Sequence, residues 1–124
     1  MGRGFTLVEL LIVAVIIGIL ATFAMPNFTV TKERTLSREA IANLRLIAAA
    51  ERIYKMEHDD YLISSALDTI NDELMLSIND SNWEYEIQAT GGGGFSATAT
   101  KGACVWEIQD GWDEPQGDSD CPKF

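Results

Sequence analysis

The side chain with the clearest chemical meaning in this sequence is an acid placed directly before a long apolar run. Glu9 is followed by Leu10 to Thr31, a stretch with no charged residue. As a helix this stretch would measure about 33 Å, enough to cross a bilayer core of about 30 Å. A carboxylate near hydrocarbon costs several kcal/mol unless it lies at the interface or meets a partner. Glu9 therefore predicts a function in pairing or positioning.

Enzymatic chemistry finds little support in the rest of the sequence. His58 is the single histidine, and no serine or cysteine has a plausible base partner near it in sequence. Such a histidine at a helix end is typical of a surface or capping residue. The four glycines from Gly91 to Gly94 lack the lysine and hydroxyl of a phosphate-binding loop, so they indicate a hairpin turn. We expect no catalytic residues.

The two cysteines, Cys104 and Cys121, predict one disulfide if this part of the chain is exported. The bond would close a loop of about 18 residues and stabilise the fold by roughly 3 kcal/mol. The spacing lacks the paired C-x-x-C form, which argues against a metal site built on these cysteines.

The C-terminal loop is acidic. Its carboxylates include Asp113, Asp118 and Asp120, which are weak calcium candidates because oxygen ligands suit that ion, although their spacing is not that of an EF-hand. The alternative is a solvated acidic loop with no cofactor. From His58 onward the acids far outnumber the two bases, Lys101 and Lys123, and the whole chain has a formal net charge of −10. Such a charge argues against nucleic-acid binding by the bulk of this region.

Four segments are predicted to organise the chain. Residues 1–4 precede a hydrophobic helix over 5–31, in which Gly18 and Pro26 could introduce a kink. An amphipathic helix follows over 32–60, its periodicity clearest from Leu36 to Asp59. Residues 61–124 form a head with a short helical turn between Leu62 and Ile78, a glycine turn, and strands over Trp83–Ile87, Phe95–Thr100 and Ala103–Gln109.

The amphipathic helix carries two apolar stripes at helical spacing. One stripe contains Ile41, Leu44, Ile47 and Ala48. The other contains Ala42, Leu46, Ala49, Ile53 and Met56. Two stripes favour a helix that packs on its own head on one side and on neighbouring molecules on the other. The alternative is a single broad core face.

The segment Gly4-Phe5-Thr6-Leu7-Val8-Glu9-Leu10 resembles the N-terminal signal of type IV pilins and type II secretion pseudopilins. The resemblance implies that a prepilin peptidase cuts between Gly4 and Phe5, removes residues 1–4 as a leader, and methylates the new amine of Phe5. It implies that Glu9 meets the N-terminal amine of a neighbouring subunit during assembly. Pro26 falls where many members have a helix-breaking proline. The implied fold is α+β, with a long N-terminal helix packed on a small antiparallel sheet of three or four strands.

The expected function is that of a structural subunit, a pilin that assembles through its N-terminal helix into a surface filament. An alternative is a type II secretion pseudopilin in a short periplasmic filament, which calcium binding in the terminal loop would favour. An alternative of another class is a single-pass, membrane-anchored binding module. The expected partners are copies of the same chain, the inner membrane before assembly, the prepilin peptidase and the assembly machinery.

Overall fold

The structure, a computed structural model, describes residues 4–24 and 28–124. Backbone contacts divide the chain into an N-terminal unit, residues 1–32, and a C-terminal unit, residues 33–124. The sequence predicts helices over residues 5–31 and 32–60. The structure has helix α1 at Leu7–Ala24 and helix α2 at Phe28–His58. The kink predicted at Pro26 lies outside the described residues.

Helix α1 of the N-terminal unit is apolar on every side. Its first residues, Leu7 and Val8, and later ones such as Ile12 and Phe23 are all exposed. The helix continues through Gly18, so this glycine does not interrupt it, and the Thr22 hydroxyl donates to the Gly18 carbonyl at 2.8 Å. Among the described residues no single helix is long and apolar enough to cross a membrane; Leu7–Phe23 and Phe28–His58 pass that test only as a pair, by length and composition.

Helix α2 begins at Phe28, four residues before the predicted segment 32–60, and the sequence from Phe28 to His58 contains neither glycine nor proline to interrupt it. It ends at His58, and the next residue, Asp59, has a positive φ of 61° that takes the backbone out of the helix. The amide of Asp59 still donates to the Lys55 carbonyl at 2.8 Å. The predicted segment 32–60 extends two residues beyond the last residue of α2.

The C-terminal unit contains an antiparallel sheet of four strands in sequence order: β1 (Glu84–Ala89), β2 (Phe95–Lys101), β3 (Cys104–Gln109) and β4 (Gln116–Gly117). The three predicted strands are confirmed, and β4 adds a two-residue edge that the sequence analysis did not place. With the long N-terminal helices this gives the expected α+β class. In the central register, Ala97 of β2 lies between Ile87 of β1 and Ile108 of β3.

The glycine run forms the β1–β2 turn, as predicted. Gly92 and Gly93 have φ values of 99° and 83°, which side chains with a Cβ rarely adopt. The Thr90 amide closes the turn by donating to the Gly94 carbonyl at 3.0 Å. The tightness of this turn fixes the register of β1 against β2.

One buried cluster joins α2, the sheet and α3 (Leu67–Leu74). Alternate side chains of β1, β2 and β3 point into it, as the period of two in a strand requires. Two polar contacts tie α2 to the sheet: the indole N–H of Trp83 donates to the Leu36 carbonyl at 2.9 Å, and the Asn43 amide donates to the Tyr85 hydroxyl at 2.8 Å. The cluster consists of Ala40, Leu44, Ile47, Ala48, Ile70, Leu74, Ile78, Trp83, Tyr85, Ile87, Phe95, Ala97, Ala99, Trp106, Ile108 and Cys121.

Candidate functional site

The Gly4–Phe5 junction lies in an exposed, non-helical segment immediately before α1. The side chain of Phe5 is 84% exposed. A Cβ built on Gly4 would meet no atom within 4 Å, so the fold of this chain does not itself demand glycine there. The peptide bond is therefore accessible, and a requirement for glycine at this position would come from a molecule that acts on it.

Glu9 and Thr6 form a reciprocal pair at the start of α1. The Thr6 backbone N–H donates to Oε2 of Glu9 at 3.0 Å, and the Glu9 backbone N–H donates to Oγ1 of Thr6 at 3.2 Å. This is a capping box, in which each side chain satisfies a backbone donor that the helix leaves unpaired. The sequence analysis missed it, although the T-x-x-E spacing before an apolar run is its signal.

A shallow groove on α1 runs beside the Glu9 carboxylate and is lined by Phe5, Leu10, Ile12 and Val13. Its walls are apolar apart from the acid. An ionised carboxylate accepts several hydrogen bonds, so Glu9 retains capacity for a second donor besides Thr6. The arrangement suits an apolar partner that brings one positive charge to the groove.

The two stripes predicted on the amphipathic helix separate as expected. Leu44 is fully buried and Ile47 and Ala48 lie beside it in the core, whereas Leu46 is 52% exposed. Ala42, Ala49, Ile53 and Met56 are exposed as well. We call Ala42, Leu46, Ala49, Ile53 and Met56 the outward stripe. The single broad core face is therefore wrong, and the outward stripe leaves an apolar row of α2 facing solvent.

One edge of the outward stripe is basic. Arg34, Arg38, Arg45 and Arg52 recur along α2 at helical spacing. Arg45 forms an ion pair with Glu114 of the terminal loop, and the Arg38 guanidinium lies 5.5 Å from the centre of the Phe124 ring. Both ion-pair partners are more than half exposed, so the pair itself contributes little stability.

Cys104 and Cys121 form the predicted disulfide. Cys104 is the first residue of β3, so the bond fastens the end of the terminal loop to the sheet. The amide of Asp118 adds a second tie by donating to the Val105 carbonyl at 3.1 Å. The end of the terminal loop is thereby held to β3 at Asp118 and at Cys121.

The calcium candidates do not converge. Asp118 Oδ1 accepts the Asp120 amide at 3.1 Å, and Asp113 lies beside the Trp112 end of the loop. Among the described residues, the one close group of possible ligand atoms contains Cys104, Asp118 and Cys121, and its two sulfurs are joined in the disulfide. The residues do not fit a gathered calcium site, and calcium binding stays a prediction without a structural argument behind it.

His58 is a surface residue at the end of α2, as expected. Its ring stacks on Tyr54 with centroids 4.1 Å apart, and Nδ1 lies 3.2 Å from the Tyr54 carbonyl oxygen. This contact places the ring along the surface of its own helix.

Comparison with known proteins finds matches to part of the chain. Residues 2–25 match the model of the prokaryotic N-terminal methylation motif. The chain is 47% identical over 60 residues to the type IV major pilin protein PilA of Myxococcus xanthus, an alignment that covers 48% of this chain and 27% of that protein. It is 37% identical over 59 residues to the type II secretion system core protein G of Escherichia coli, covering 48% of this chain and 41% of that protein.

A second protein of that name, the type II secretion system core protein G of Vibrio cholerae, is 38% identical over 58 residues, with 47% of this chain and 40% of that protein covered. The chain thus spans less than half the length of these curated relatives. No solved structure matches. The names of these relatives are those of a major pilin and of secretion-system core proteins.

Proposed function

We propose that this chain is a member of the type IV pilin and type II secretion pseudopilin family and a structural subunit that assembles through its N-terminal helix into a surface filament. One observation carries the proposal. An exposed Gly4–Phe5 junction directly precedes a helix that is apolar on all sides apart from Glu9 in its first turn. A helix of this kind requires an apolar surrounding, which a membrane supplies before assembly and a bundle of identical helices supplies afterwards.

Cleavage after Gly4 would place the amine of Phe5 four residues before the Glu9 carboxylate. The Thr6 amide lies on the C-terminal side of the cut, so the capping box survives processing. The remaining acceptor capacity of Glu9 is then available to the amine of a neighbouring subunit. In an apolar bundle a paired charge is tolerated, whereas an unpaired one costs about 3–5 kcal/mol, and this difference favours one register of assembly.

The outward stripe of α2 would form a second subunit contact. Leu46, Ile53 and Met56 are exposed in the single chain, and burying each large apolar side chain stabilises a contact by about 1.5–3 kcal/mol. The arginines along the edge of this stripe are positively charged, and the head of each neighbouring copy is acidic. The charges of neighbouring copies are therefore complementary. Basic helix and acidic head would thus meet between copies.

A role as a type II secretion pseudopilin is the second candidate. The observation that favours it is the similarity to several core proteins G, at 34–38% identity over 58–59 residues. The assembly chemistry at Phe5 and Glu9 would be the same, and the filament would remain periplasmic. The comparisons do not favour the third alternative, a membrane-anchored binding module, because that alternative does not account for the match to the N-terminal methylation motif.

In this proposal the partners are the inner membrane, the prepilin peptidase, the assembly machinery and copies of the same chain. The mass of the subunit in its native filament tests it directly. We expect a chain that begins at Phe5 and carries one additional methyl group. A filament subunit that retains Gly4 would contradict the proposal, and the length and cellular location of the filament distinguish a pilin from a pseudopilin.

A further inference from the structure

Glu51 is a fully buried acid in the middle of α2. It lies on the helix face that also carries Leu44, Ile47 and Ala48, and its relative exposure is 0%. Neither of its carboxylate oxygens has a hydrogen-bond partner among the described residues. A buried carboxyl group without partners is rare in native proteins, because desolvation of the charged form is uncompensated.

The surroundings of Glu51 disfavour a negative charge. Asp60 adds a second carboxylate nearby, and no ion pair reaches Glu51 within the described part of the chain. The Leu62 amide favours the charged form, but it does not complete a hydrogen bond to either oxygen, and its effect on the pKa of Glu51 is smaller than that of burial. Burial, with the repulsion from Asp60, raises the pKa of Glu51 from 4.5 to about 7.

Other charged groups act on this region through Tyr61. The Tyr61 hydroxyl donates to Oδ1 of Asp110 at 3.0 Å, and the Lys55 ammonium lies 4.7 Å from the centre of the Tyr61 ring. Burial raises the pKa of Tyr61 most, the hydrogen bond to Asp110 and the charge of Glu51 raise it further, and the charge of Arg52 lowers it. The core cluster supplied by α3 and the strands is apolar, so it offers Glu51 no cation.

The backbone of residues 59–64 passes beside Glu51 and pairs with the sheet at Ser64, while the Tyr61 ring packs on Phe95 with centroids 4.9 Å apart. This segment runs from Asp59, at positive φ, to Ser64, whose backbone exchanges two hydrogen bonds with Ile87 of β1 at 3.1 and 2.8 Å. By contrast, β1, β2 and β3 are joined by continuous ladders. Water therefore reaches the carboxylate at the lowest cost if residues 59–64 move and the strands stay in place.

We infer that Glu51 is a pH-dependent latch: while it is neutral, residues 59–64 stay packed against the core, and its ionisation releases this segment from the edge of β1. The latch does not depend on the proposed function. Its release would break the Ser64–Ile87 pairing and leave the backbone groups of Ile87 at an open sheet edge.

Hydrogen exchange on the full-length chain in detergent micelles tests the latch. Protection factors, corrected for the intrinsic exchange rate, are measured at pH 5.5 and pH 8.5 for peptides covering residues 59–64 and 95–109. In the wild type we expect protection of residues 59–64 to fall at the higher pH by about tenfold or more relative to residues 95–109. In Glu51→Gln, which cannot ionise, we expect this ratio to stay constant.

Glu57→Gln is the matched control, because it removes an exposed acid from the same helix. We expect this variant to behave as the wild type does. A wild-type ratio that does not change with pH would overturn the inference, as would an equal fall for both peptides, which means global unfolding. The same pH dependence in Glu51→Gln would also overturn it, because the titrating group would then lie elsewhere.

Discussion

Thr6 and Glu9 satisfy each other across the first turn of α1, through backbone-to-side-chain hydrogen bonds of 3.0 and 3.2 Å. The acid that faces the apolar helix therefore already has a local partner in the single chain. Its capping bond and its proposed bond to a neighbouring amine use different properties of the side chain. Capping requires a side-chain acceptor, which glutamine also provides, whereas the bond to an amine draws its strength from the negative charge.

A pair of leucines two residues apart distinguishes folding from assembly. Leu44→Ala removes a fully buried side chain and should lower the free energy of unfolding by about 2–5 kcal/mol. Leu46→Ala makes the same change on the outward stripe and should alter stability by less than about 0.5 kcal/mol. Urea denaturation followed by tryptophan fluorescence measures both, since all three tryptophans, Trp83, Trp106 and Trp112, lie in the C-terminal unit.

Filament formation by Leu46→Ala tests whether the outward stripe takes part in assembly. If the outward stripe contacts neighbouring subunits, Leu46→Ala should reduce filament yield at an unchanged level of folded protein. Normal filament abundance in Leu46→Ala, with a stable head, would remove the outward stripe from the assembly contact.

The disulfide should stabilise the C-terminal unit independently of assembly. Replacing both Cys104 and Cys121 by serine frees the end of the terminal loop, and the chain-entropy argument gives a loss of roughly 3 kcal/mol. The comparison is the urea midpoint of the double variant against that of the wild type, with reduced wild type as the control for the serine side chains. Equal midpoints for the oxidised wild type and the double variant would show that the bond adds no stability.

The stability of the C-terminal unit should depend on pH through Glu51. The pKa of this group is raised on folding, to about 7 from 4.5, so the native state binds its proton more tightly than the unfolded state does. The contribution is fully present below about pH 4.5 and is lost as the pH rises through about 7. The loss amounts to at most about 3 kcal/mol.

Glu51→Gln should remove that dependence and leave the variant more stable than the wild type at pH 8.5. The urea midpoints of both proteins between pH 5 and 9 provide the measurement. Parallel pH profiles for the two proteins would assign the titration to another group.

Local signals in the sequence were sufficient for much of the fold. Alternation from Trp83 to Ile87 predicted β1, and the glycine run predicted the turn because its backbone conformation suits glycine. Two stripes on α2 predicted which side packs on the head. The predicted boundary at residue 32 followed the end of the uncharged run at Thr31, whereas α2 begins at Phe28.

The features that sequence could not give depend on tertiary placement. Glu51 sits among apolar residues of α2 with the spacing of a core position, yet nothing local distinguishes a buried acid from a solvated one. The dispersal of Asp113, Asp118 and Asp120 likewise follows from how the disulfide and β4 fold the terminal loop. The Thr6–Glu9 capping box, by contrast, has a local sequence signal, the T-x-x-E spacing before an apolar run.

The yield of filaments from Glu9→Gln, relative to the amount of subunit held in the membrane, tests the central claim most directly. Glutamine preserves the capping box with Thr6 and removes only the charge. If the Glu9 carboxylate pairs with the amine of a neighbouring Phe5, the orphaned amine costs about 3–5 kcal/mol for each added subunit, and filaments should be almost absent while membrane-held subunit remains at the wild-type level. Filaments of Glu9→Gln at wild-type yield would contradict the claim and leave Glu9 as a helix cap alone.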